Sequence, residues 1–207
     1  NSIFSKLPKV GATIFSKMSG MALANQALNL SQGFPDFEID EKLIHCVEKS
    51  MKAGHNQYAP MPGLIQLRER IAEKIFKQYQ IEYHPESEIT ITSGATQAIF
   101  TAIAAFVKEE DEVIIFTPAY DCYQPAIELV GGKPVFVQMK SPEYKVNWDE
   151  VKKLISQRTR MIIINTPHNP TGTLLSEEDL QELDKITADS EIIILSDEVY
   201  EHIVFDE

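Results

Sequence analysis

"EVIIFTPAYDCYQPAIELVGGKPVFVQ", Glu112 to Gln138, decides the architecture. Its opening EVIIF is a continuous run rich in β-branched side chains, the pattern of a strand covered on both faces. A helix around Tyr123 to Val130 follows, Gly131 and Gly132 stop it, and PVFVQ supplies a second strand. Strands that alternate with helices in this way predict a parallel sheet.

The rhythm continues on both sides. Upstream, EITITSG (Glu88 to Gly94) alternates as a strand does, and Ala95 to Lys108 is a mostly apolar helix of Ala, Ile and Phe. Downstream come a helix from Asp149, the strand MIIIN ending at Asn165, a helix opened by Ser176 with Glu177, Glu178 and Asp179, and the strand EIIILS. Five strands with intervening helices make a doubly wound α/β layer. Earlier in the chain, Asp40 can cap a helix whose apolar positions Leu43, Ile44, Val47 and Met51 recur at helical spacing, with Gly54 at its end. A second helix covers Leu64 to Gln78. Ahead of Asp40 the chain reads as irregular, an arm leading into a domain.

The 207 residues are 43% hydrophobic, enough apolar material for a sizeable core. The formal net charge of -12 disfavours nucleic acid, because binding a phosphate backbone needs clustered Lys and Arg, and no basic stripe interleaved with aromatics is present. No apolar run approaches the ~18 residues of a membrane span, and the first residues lack the continuous apolar stretch of a secretory signal. The expectation is a cytoplasmic protein with neither nucleic acid nor membrane as partner. Cys46 and Cys122 are too few and too separated for a disulfide framework or a zinc knuckle, and the five histidines show no HExxH or paired spacing. No metal site is expected, and two small buried residues is the simpler reading of the cysteines.

In open parallel sheets ligands sit beyond the carboxyl ends of the strands, and here those ends are polar. The expected first strand ends in SGATQ and enters a helix, whose free N–H groups and positive dipole end suit a phosphate, with Gly94 allowing close approach. An ordinary helix cap is the alternative. The next strand ends in TPAYDCY, where Tyr120 or Tyr123 could stack on a flat heteroaromatic ligand or simply fill the core. NTPHNPTG (Asn165 to Gly172) is a proline-stiffened loop presenting Asn169, and His168 reads more simply as satisfying its own loop than as a ligand.

The last strand delivers Asp197, Glu198 and Tyr200. A lone carboxylate taken out of water is costly, so an acid here needs solvent or a cationic partner such as a protonated pyridine nitrogen. At about 4 Å and an effective dielectric of about 20 that pair gains about 4 kcal/mol. This corresponds to roughly three pKa units before desolvation is subtracted.

Taken together, SGATQA, TPAYDCY, NTPHNPTG and SDEVYEH resemble the large domain of the fold-type I, pyridoxal 5'-phosphate (PLP)-dependent aminotransferases of class I. LNLSQGFPDF and NQYAPMPG narrow the resemblance to the kynurenine and methionine aminotransferase branch, with PHNP and DEVYEHI most like the bacterial methionine aminotransferases. It extends over essentially the whole chain. The resemblance implies an enzyme of amino-acid metabolism that moves an amino group between methionine, glutamine or an aromatic amino acid and a 2-oxo acid. It implies that Ala95 and Thr96, beside Gly94, hold the PLP phosphate and that Tyr120 stacks on the ring. Asn169 and Tyr200 would bond the ring's phenolic oxygen, and Asp197 would pair with its nitrogen. Gly33 would present backbone to the substrate carboxylate, Phe15 would flank the side-chain pocket, and Tyr58 would reach the phosphate of a neighbouring subunit in a homodimer.

By the same resemblance, residues 1–35 are an N-terminal arm of the small domain and residues 36–207 the first part of the large, PLP-binding domain. The family's Schiff-base lysine belongs to a serine-rich segment some way beyond residue 207, as do its substrate-clamping and phosphate-binding arginines. No lysine follows Asp197, and Lys185 matches no catalytic motif. The expectation is therefore half of a longer enzyme, inactive alone, whose sheet is incomplete without the missing half of the polypeptide. Other readings are a PLP-dependent carbon-sulfur β-lyase, a non-catalytic PLP-sensing domain of a transcription regulator, and a truncated product acting as a structural partner.

Overall fold

The Glu112–Gln138 unit folds as two parallel strands joined by a helix. It sits in a computed structural model that describes residues 4–8, 10–33, 35 and 37–205. Two compact units divide the chain, Ala12–Thr92 and Ser93–Glu207 with Asn1–Gly11. The first carries α1 (Ile14–Ala24), α2 (Glu41–Lys52) and α3 (Ile65–Tyr79). The second runs α4 (Ala95–Phe106), β1 (Glu112–Thr117), α5 (Tyr123–Leu129), β2 (Lys133–Gln138), α6 (Trp148–Leu154), β3 (Thr159–Asn165), α7 (Glu177–Thr187) and β4 (Ile193–Asp197).

The strands form one parallel sheet in the order β2-β1-β3-β4. Because side chains alternate across a strand, β1 sends Val113 and Ile115 to one face and Ile114 and Phe116 to the other. The first pair packs with Met161 and Ile163 of β3 beneath Ile99 and Ile103 of α4 and Tyr123 and Ile127 of α5. The second packs with Val137, Ile162 and Ile164 beneath Trp148 and Val151 of α6 and Leu183 of α7. Helices on both faces make the layer doubly wound, which is why these strands read as unbroken apolar runs. Ile114 is fully buried, and truncating such a side chain to Ala costs about 2–5 kcal/mol.

Local signals act as the sequence predicts. Ser176 and Asp179 form a reciprocal capping box at the start of α7, and Asp40 accepts from the Lys42 N–H to cap α2. Gly131 turns the chain out of α5 at φ +85°, and a Cβ on Gly132 would lie 2.7 Å from Val107, so the double glycine is required by backbone sign and by crowding.

Three expectations need correction. The cysteines are not two buried residues, since Cys46 on α2 is exposed and Cys122 is half-buried. Glu88–Gly94 is not a strand: its alternation specifies which side chains would share a face, but a strand exists only where a neighbour supplies a ladder. Among the described residues none does, and the Ile91 N–H instead donates to the Pro62 carbonyl at 2.9 Å. The sheet therefore has four strands here, not five. Residues ahead of Asp40 are not wholly irregular either, since Thr13 accepts from the Ser16 N–H and caps α1. That helix buries none of its residues, so it had no one-sided apolar pattern to reveal it. The stripe expected on α2 does form, with Leu43, Ile44 and Val47 all about half exposed or more.

Candidate active site

Parallel strands put all their carboxyl ends at one edge, so Thr117, Asn165 and Asp197 end β1, β3 and β4 together. Asn165 and Asp197 are direct register partners. Beside this edge lies a cavity of about 240 Å³ lined by Ala95, Thr96, Tyr120, Asn165, Asn169, Asp197, Val199 and Tyr200. The structure thus brings together six of the expected site residues. Gly94 stands immediately before them as the residue preceding α4.

Asp197 closes the apolar strand β4 and is only 9% exposed. Its Oδ2 accepts from the Tyr123 hydroxyl at 2.6 Å, and its Oδ1 accepts a longer bond, 3.3 Å, from the Val199 N–H. Its carbonyl accepts from the Asn165 side-chain amide at 2.8 Å and from the Thr166 N–H at 3.1 Å. Among the described residues it forms no ion pair. A carboxylate offers about four acceptor sites, so these two donors leave capacity for a further one.

The α4 N-terminus carries no side-chain cap, because Gly94 precedes it at φ +83° and ψ 168° with open space where a Cβ would stand. The N–H groups of a first helical turn lack intrahelical partners and attract anions. Tyr120 is half-buried, its ring edge-on to Tyr123 at 5.9 Å, and its hydroxyl lies 3.4 Å from Thr96 Oγ1. Asn169 is held from behind, its N–H donating to Asn165 Oδ1 at 2.7 Å in a loop whose two prolines both follow cis peptide bonds. Tyr200 follows β4 in a turn and is 36% exposed.

Burial, then the Asp197 carboxylate, pushes the Tyr123 phenol far above its ordinary range, so it stays a donor. The Cys122 thiol is pushed up to about 12, by burial first and then by Asp121 and Asp197, and stays protonated. His168 is buried and kept neutral by desolvation, its Nδ1 2.8 Å from Thr171 Oγ1. It satisfies its loop, as the simpler reading had it. Glu198 is exposed and accepts from the Ser196 hydroxyl at 2.6 Å, away from the cavity lining.

Phe15 on α1, Gly33 and Tyr58 belong to the Ala12–Thr92 unit. Phe15 is half-buried, Gly33 exposed, and Tyr58 fully exposed at 101%. Sequence reasoning missed Asn165 as a brace and Tyr123 as the donor to Asp197. The only signal for Asn165 was an amide ending an apolar strand, and Tyr123 gave none beyond its place near Tyr120.

The arrangement offers an anion seat at the start of α4, an aromatic ring, the polar side chains of Asn169 and Tyr200 and a buried carboxylate able to face a cation. Residues 25–207 match the family profile Aminotransferase class I and II. Methionine aminotransferase of Escherichia coli (strain K12) is 48% identical over 205 residues, 97% of this chain and 52% of the relative. Probable N-succinyldiaminopimelate aminotransferase DapC of Mycobacterium tuberculosis is 37% identical over 98% of this chain and 51% of its own length. The crystal structure of YbdL from Escherichia coli, described there as having a methionine aminotransferase function, superposes with a TM-score of 0.96 at 46% identity, over 100% of this chain and 54% of that one. The chain spans about half the length of the curated relatives it matches.

Proposed function

The chain belongs to the class I and II aminotransferase family, and we propose that its parent polypeptide is a PLP-dependent aminotransferase working between an amino acid and a 2-oxo acid. The observation that carries this reading is the buried Asp197, which faces a cavity shared with Tyr120, Asn169 and Tyr200 beside an uncapped helix start. The residues fit the coenzyme. A carboxylate without an ion pair among the described residues suits a ring N–H, and the start of α4, which carries no side-chain cap, suits a phosphate.

PLP, when bound, supplies an electron sink for the electrons left as the substrate's α-proton departs. Asp197 keeps a proton on the ring nitrogen, and Tyr120 covers one face of the ring. The Asn169 amide and Tyr200 hydroxyl bond the ring's phenolic oxygen, and the Ala95 and Thr96 N–H groups hold the phosphate. Gly33 presents backbone to the substrate carboxylate, Phe15 flanks its side chain, and Tyr58 crosses a homodimer interface to the partner's phosphate. Full exposure of Tyr58 is compatible with that reach.

The proposal includes a cytoplasmic enzyme, an N-terminal arm through residue 35 and a large-domain portion from residue 36. The lysine that would act as general base, and the two arginines, lie in a further part of the polypeptide, so residues 1–207 alone are inactive. The half-length match to the relatives and the uncovered α2 stripe support this. Methionine is the favoured donor, with glutamine and aromatic amino acids next.

The test is an absorbance spectrum of the full-length gene product after incubation with PLP. A pyridoxal-type band that converts to a pyridoxamine-type band on adding methionine supports the reading. No bound chromophore with excess PLP overturns it. Release of ammonia and pyruvate from cystathionine without an acceptor acid would identify a β-lyase instead.

A further inference from the structure

Asp197 is held by a residue that the expected site did not include. Tyr123 begins α5, 74 positions before Asp197, and is 3% exposed, packed against the sheet among Ile99, Ile103, Ala126 and Ile163. Its hydroxyl nevertheless ends 2.6 Å from Asp197 Oδ2, a charge-assisted bond across the core. Asn165 and Thr166 fix the backbone of Asp197, and Val199 offers its N–H to the other carboxylate oxygen. Tyr123 is thus the one side-chain donor recorded to this carboxylate among the described residues. Its neighbours cannot replace it: the Tyr120 ring meets it edge-on, and the Cys122 thiol remains neutral.

We propose that Tyr123 is a positioning residue that holds the Asp197 carboxylate aimed into the cavity, so that the proton shared with a bound ring nitrogen stays on the nitrogen. The inference rests on the PLP reading above. A donor to the carboxylate stabilises its anionic form and lowers its basicity. In a buried pair this favours the charged arrangement, N–H⁺ against carboxylate, over the neutral one in which the proton has crossed to oxygen. Removing the hydroxyl while keeping the ring therefore shifts the pair toward an unprotonated nitrogen without removing the seat for the phosphate.

The experiment uses the full-length gene product loaded with PLP carrying ¹⁵N at the ring nitrogen, whose NMR shift reports protonation directly. In the unaltered protein the signal lies at the protonated position. In Tyr123→Phe the cofactor stays bound and the signal moves measurably toward the unprotonated position. Where the void left by the hydroxyl prevents folding, 4-fluorophenylalanine at position 123 fills the space without donating and gives the same movement. An unchanged signal in a folded, cofactor-loaded variant overturns the proposal, leaving Tyr123 a packing residue. If the unaltered protein binds no labelled PLP, or holds its nitrogen unprotonated, the proposed function itself fails.

Discussion

Asn165 and Asp197 sit opposite each other at the ends of β3 and β4, and the Asn165 amide donates across the pair to the Asp197 carbonyl at 2.8 Å. The same side chain accepts from the Asn169 N–H at 2.7 Å. One buried amide therefore ties the carboxylate-bearing strand to the loop that presents Asn169. Truncating Asn165 to Ala should leave the Asn169 N–H without its acceptor, at a cost of about 1–3 kcal/mol. Urea denaturation of the full-length gene product measures it, and a loss within error would show that solvent replaces both bonds.

Asp197→Asn keeps the shape of the side chain and removes its charge. If the pair with a ring nitrogen is worth up to about 4 kcal/mol, the amino-donor half-reaction should slow by up to about a thousandfold. PLP should still bind through its phosphate. Rapid-mixing absorbance with methionine reads the rate, and an unchanged rate would remove Asp197 from the chemistry.

Gly94 holds φ +83° and ψ 168°, a region essentially reserved for glycine, while open space surrounds the position of a Cβ. Gly94→Ala should therefore act through backbone strain of about 1–3 kcal/mol and not through crowding. Relief of that strain would reorient the first turn of α4. The expected result is weaker PLP binding in an equilibrium titration, and an unaltered affinity would argue that the phosphate does not use this turn.

His168 is buried neutral, with its pKa below the ordinary 6.5 because of desolvation. The unfolded chain takes up this proton near pH 6.5, whereas the folded chain resists it until lower pH. The associated stability is present above that range and is lost as pH falls through the folded value. Thermal melting of the full-length protein should drop as the pH falls below about 6.5, and His168→Gln should flatten that part of the profile.

The two central strands, β1 and β3, were legible because they are covered on both faces, which writes Val113–Phe116 and Met161–Ile164 as unbroken apolar runs. Asp197 was legible for the opposite reason, as an acid where such a run ends. Glu88–Gly94 misled because alternation encodes faces, not partners. Helix α1 was missed because it buries nothing. The Tyr123–Asp197 bond joins residues 74 apart, and Asn165–Asp197 residues 32 apart. Such pairings depend on how helices lie across the sheet, which no local pattern records.

The whole account depends on a carboxylate meeting a cationic ring inside the cavity. A crystal structure of the full-length gene product with PLP tests it most directly. The expected result is an Asp197 carboxylate oxygen about 2.7–2.9 Å from the ring nitrogen, with Tyr120 against the ring face. An Asp197 turned to solvent, or paired with an arginine while PLP lies elsewhere, would contradict it.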